Sequence, residues 1–166
     1  MSGEEKLKPG TTVIFHQELN EQAVTNLIND LDNIDEHINL YFTSPGGSII
    51  YYRPLIDYLN GRSDEITLIA NWEISSGAFV VFFKFEGEKR ILPNTTAMIH
   101  LTTANLDARD LLIESSKSQI VHAKLQRLWV DELGFYNCLG IRMEHLNKLR
   151  NGEDIHLSYY ELEKML

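Results

Sequence analysis

Acyl transfer needs a nucleophile, a group to take its proton, and donors for the negative charge that develops on the attacked carbonyl oxygen. The chain carries Ser75 and Ser76 directly before Gly77, His100 at the end of an apolar stretch, Asp154 in a polar segment, and paired glycines, Gly46-Gly47, after Ser44-Pro45. A serine hydroxyl is a weak nucleophile until an imidazole accepts its proton. The imidazole in turn needs a carboxylate to fix its tautomer and stabilise the cation that forms. A Gly-Gly turn can bring backbone N–H groups close to an oxyanion because no side chain blocks the approach. Taken singly, each residue has an ordinary explanation: Ser75 or Ser76 as a helix cap, His100 as a core histidine, Asp154 as a loop acid. His16, His37, His122, His145 and His156 sit beside polar or charged neighbours and read as solvated side chains. Only the combination points to chemistry.

The elements that must hold these residues can be read from periodicity. Thr11 to Phe15 is β-branched and bounded by Gly10, which predicts a strand. Val24, Leu27, Ile28, Leu31 and Ile34 recur at helical spacing behind Asn20, a capping residue. Ile38 to Phe42 predicts a second strand, ended by Ser44-Pro45-Gly46-Gly47. Ser48 to Leu59 predicts a helix weakened by Pro54, and Ile66 to Ala70 a third strand. Such alternation is solved by parallel pairing, so the fold class is α/β. Ser76 to Phe85 fits either a strand or a helix buried on all sides. Arg90 to Leu92 and Thr96 to Leu101 read as strands around the Pro93-Asn94 turn. Asp107 to Leu133 reads as one long helix with Gly134 placed to stop it, followed by a short helix over Ile141 to Leu149. Ser158-Tyr159-Tyr160-Glu161 matches a capping box opening a last helix.

Composition excludes several classes of function. At 166 residues, 43% of them apolar and 23% charged, the chain suits one globular domain over residues 11–166 behind a flexible tail of residues 1–10. The net charge of −9 repels nucleic-acid phosphates and anionic lipid. Neither nucleic acid nor membrane is an expected partner. Cys138 is the only cysteine, so an intrachain disulfide or a cage of paired thiolates on zinc cannot form. The first ten residues lack the apolar run of a signal peptide. The longest apolar run noted, Ala78 to Phe83, is far short of the ~20 residues of a membrane span. A reducing, cytoplasmic location is expected.

Four blocks in order, INLYFTSPGGSI, ISSGAFVV, ILPNTTAMIH and GEDIHLS, resemble the proteolytic subunit of the Clp protease, ClpP, a serine peptidase of the wider ClpP/crotonase fold. The resemblance implies repeated β-β-α units with a long protruding handle helix, here the Asp107–Leu133 segment. It places the nucleophile at Ser75, the general base at His100 and the orienting acid at Asp154. It also implies an oxyanion hole from the backbone N–H groups of Gly47 and Ser76. By the same likeness the chain is a serine endopeptidase for peptides or unfolded proteins. It would work without metal or organic cofactor inside a homo-oligomeric ring, heptameric or stacked in two layers. Three features depart from the family pattern. Trp72-Glu73-Ile74 stands where small residues precede the nucleophile, with Glu73 expected to face solvent. LTTANLDARD lacks the proline and glycines of the family's substrate-pairing strand. Only about ten residues precede the first strand, which makes an ATP-dependent unfoldase the least supported of the implied partners. The alternatives are a non-catalytic ring or scaffold subunit and, behind it, a crotonase-like acyl-CoA enzyme. An α/β-hydrolase would need glycine where Glu73 stands and the order Ser, Asp, His.

Overall fold

Strand and helix alternate from the start of the chain, as the periodicity predicts. The computed structural model describes residues 7–103 and 116–166. Contacts divide it into two compact units, Met1–Ile99 with His156–Lys164 and Leu166, and His100–Ile155 with Met165.

In the first unit, strands β1 (Thr11–His16), β2 (Ile38–Ser44), β3 (Ile66–Ile74) and β4 (Glu88–Ile91) form one sheet in that order, every neighbouring pair parallel. Helices α1 (Glu21–Asp32), α2 (Ile49–Gly61) and α3 (Gly77–Lys84) supply the crossovers. A central strand of such a sheet is covered on both faces, so it reads as a continuous apolar run. Accordingly, every residue of β2 except Tyr41 is buried, as are Ile66 to Ala70 of β3. Asn20 caps α1 by accepting from the Ala23 N–H at 3.0 Å, and Ala23, Val24, Leu27 and Leu31 form its buried face. Pro54 lies inside α2, which continues to Gly61.

The segment with two readings, Ser76 to Phe85, is a helix. Gly77 to Phe83 are all buried, which is why no amphipathic period marks it. Strand β5 (Ala97–Ile99) pairs with β6 (Ile155–Leu157), a three-residue strand too short to show a period in the sequence.

The second unit contains helices α4 (Ser116–Cys138) and α5 (Met143–Arg150). The expected start of the long helix, and the LTTANLDARD stretch from residue 104 on, lie outside the described residues. The expected stop does not hold: α4 runs through Gly134, where an added Cβ would meet nothing within 4 Å. The stop is Gly140, at φ +79°, with Gly140 N–H on the Asn137 carbonyl and Ile141 N–H on that of Tyr136. These are the two bonds of a Schellman motif, which needs a left-handed residue just past the helix. Helix α6 (Tyr159–Glu163), back in the first unit, opens with the expected capping box between Ser158 and Glu161. Among the described residues no helix is long and apolar enough to cross a membrane.

Candidate active site

Because β2 and β3 are parallel neighbours, their carboxyl ends open on the same edge of the sheet. Ligand sites of open α/β sheets form at such an edge. β2 runs into Pro45-Gly46-Gly47, β3 into Ser75-Ser76, and the two turns lock together. Ser75 N–H donates to the Ser44 carbonyl at 2.9 Å, and Gly46 N–H donates to the buried Ser44 hydroxyl at 3.1 Å. Gly46 sits at φ +103°, and a Cβ there would stand 2.6 Å from the Ser75 carbonyl oxygen and 2.7 Å from Ser76 Cβ. Only glycine permits that approach. The Gly47 N–H has no hydrogen-bond partner among the described residues.

Ser75 is 1% exposed and occupies the joint between β3 and α3. Its hydroxyl donates to Glu73 Oε1 at 2.8 Å and accepts from the Met98 N–H at 3.0 Å. Glu73 is exposed, as expected, and its carboxylate also accepts from the serine hydroxyl. Residues i and i+2 at a strand end project to the same side, which brings the two together. Ser76, the helix N-cap, is held at φ +52°, ψ −123°, and its N–H donates to the Met98 carbonyl at 2.7 Å. A non-glycine residue in the left-handed region stores backbone strain, as sites poised for chemistry often do. The second donor implied for the oxyanion hole is therefore engaged by Met98, while the first is free.

His100 and Asp154 belong to the second unit. The half-buried His100 ring places Nδ1 2.8 Å from the Leu101 carbonyl oxygen. A carbonyl can only accept, so Nδ1 is the donor, and in a neutral ring the lone pair then lies on Nε2. That is the tautomer a general base needs. Asp154 is exposed and has no side-chain hydrogen bond among the described residues, so the backbone and not the carboxylate fixes the ring here. One face of α4 secures the segment that carries the imidazole. Tyr136 Oη donates to the His100 carbonyl at 3.3 Å, Trp129 Nε1 donates to the Thr102 carbonyl at 2.7 Å, and Glu132 accepts both the Thr102 N–H and its hydroxyl. Spacings of three and four residues put these side chains on one stripe.

The model of the Clp protease family matches residues 5–135, more than half of the chain. The chain belongs to the Clp protease family. Its fold is similar to that of a ClpP1 mutant from Listeria monocytogenes, with a TM-score of 0.69 at 18% identity over 93% of this chain and 86% of that one. The α/β class expected from the alternation of strands and helices, and the ClpP-like fold expected from the four sequence blocks, are thereby borne out. Sequence reasoning gave no signal for Met98, Trp129, Glu132 or Tyr136, whereas the family likeness did mark Glu73 as a departure just before the nucleophile.

Proposed function

We propose that this Clp protease family member is a serine endopeptidase that cleaves peptides or unfolded proteins within a ring-shaped homo-oligomer. Ser75 acts as nucleophile, His100 as base and Asp154 as orienting acid. The observation that carries this reading is the joint itself: Ser75 stands between β3 and α3, against a Pro-Gly-Gly turn with an unpartnered Gly47 N–H. In the proposed reaction Ser75 Oγ bonds to the substrate carbonyl carbon as its proton passes to His100 Nε2. The oxyanion is then held by Gly47 N–H and, once Met98 releases it, by Ser76 N–H. Collapse breaks the C–N bond, with the imidazolium giving its proton to the leaving amine. Water then hydrolyses the acyl-enzyme by the same base. The Nδ1–H to Leu101 bond supports the base role, and Asp154 would have to join it as the cation forms.

Labelling by a fluorophosphonate and hydrolysis of fluorogenic peptides test the reading. Both are expected in the wild type and absent in Ser75→Ala, with hydrolysis lost in His100→Ala. Ser76→Ala keeps labelling if Ser75 is the nucleophile. No labelling of assembled wild type, indistinguishable from Ser75→Ala, would overturn the peptidase. A second reading, a non-catalytic ring subunit, is favoured by the unbonded Asp154 and by the Ser75 hydroxyl donating to Glu73. Peptide hydrolysis that depends on His100 removes it.

A further inference from the structure

We propose that Glu73 is a positioning residue that holds the Ser75 hydroxyl in a resting arrangement, so that the nucleophile must be released from it before attack. This rests on the peptidase reading of Ser75. A hydroxyl has one proton to give, and here it goes to Glu73 Oε1 at 2.8 Å, leaving none for an imidazole. The Met98 N–H, at 3.0 Å, takes one of the Oγ lone pairs, and the Met98 carbonyl takes the Ser76 N–H. The two ends of one residue of β5 therefore engage the attacking oxygen and one of the oxyanion donors together.

A carboxylate is a weaker base than an imidazole, and proton-transfer catalysis follows basicity, so the geometry gives Glu73 the part of an acceptor rather than that of the base. What the carboxylate does supply is a charged acceptor, and a hydroxyl bonds that more strongly than a neutral one. The contact is local to a strand end. Ile74 N–H donates to the Thr96 carbonyl and Thr96 N–H to the Trp72 carbonyl, which fixes the backbone on either side of Glu73. The side chain can consequently be changed without loosening the strand. Trp72, at φ +65° and 74% exposed, marks the same joint as a place where the chain departs from regular strand geometry.

The test uses a neutral fluorophosphonate, so that the charge on Glu73 does not act on the probe, with the wild type, Glu73→Gln, Glu73→Ala and Ser75→Ala. The maximal labelling rate is expected to rise roughly three- to tenfold in Glu73→Gln, the difference between a charged and a neutral acceptor. It rises at least as much in Glu73→Ala. The half-saturating probe concentration and the melting temperature stay unchanged, a split that a general loosening of the joint would not give. Should Glu73→Ala fail to fold by circular dichroism, the isosteric Glu73→Gln carries the test. Labelling at the wild-type rate or slower in folded Glu73→Gln overturns the latch and leaves the Ser75 reading intact. No labelling of any variant overturns both, because releasing the hydroxyl should then have exposed it.

Discussion

Replacing Gly46 by alanine should damage the joint that carries Ser75. The backbone at φ +103° is one that L-residues rarely adopt, and forcing a Cβ into it costs about 1–2 kcal/mol. The added carbon would stand 2.6 Å from the Ser75 carbonyl oxygen, inside the 3.4 Å at which ordinary contact begins. Because the atom it meets is backbone, relief requires the serine joint to move, and overpacking of this kind costs about 1–3 kcal/mol. Together the two come to about 2–5 kcal/mol. With a urea slope of about 2 kcal/mol per molar, the midpoint should fall by roughly 1–2.5 M. The displaced serine should also label more slowly, on the order of a hundredfold for a shift near 1 Å. Urea unfolding followed by tryptophan fluorescence, with fluorophosphonate labelling of the folded variant, measures both. Gly134→Ala is the control: it lies inside α4 with nothing within 4 Å of the new Cβ, and should stabilise by roughly 0.5–1 kcal/mol. If Gly46→Ala unfolds and labels like the wild type, the turn is not packed on the serine joint and the reasoning fails.

Other substitutions probe the surrounding frame. Asn20→Ala removes the acceptor of the Ala23 N–H and should cost about 1 kcal/mol in urea unfolding, whereas Asn20→Asp should retain most of it. Glu132→Ala frees the Thr102 N–H. Hydrogen exchange at that amide should then quicken at least tenfold, and an unchanged rate would show that α4 does not secure the His100–Thr102 segment. Hydrogen bonds from Lys8 and then Arg90 hold the Glu88 carboxyl below its usual pKa of 4.5. Its contribution to stability is therefore full above that value and lost as the pH falls through the lowered one. Glu88→Gln should lower the urea midpoint slightly at pH 7, and its difference from the wild type should shrink progressively as the pH falls below 4.5. The pair with Lys8 is half-exposed, so the difference is small and shrinks with added salt.

Local pattern was enough for much of this protein. The β-branched run at Thr11, the helical spacing from Val24 to Leu31, the Ser158-Glu161 box and the Ser-Pro-Gly-Gly turn each act over a few residues, where backbone preference and side-chain period have direct effect. The four blocks behind the family likeness are of the same kind, and the family is shown. Three things needed the fold. Whether Gly77 to Phe83 is helix or strand depended on what surrounds it, since an all-apolar segment carries no period. The stop of α4 passed from Gly134 to Gly140 because a glycine ends a helix only where the backbone turns left-handed, and residue type does not say where that happens. The partners of Ser75 and His100 were also hidden. Met98 lies 23 residues beyond the serine, and Glu132 lies 30 beyond the Thr102 it holds. Hydrogen bonds over such distances are set by how strands and helices are laid side by side, and no window of sequence contains both ends.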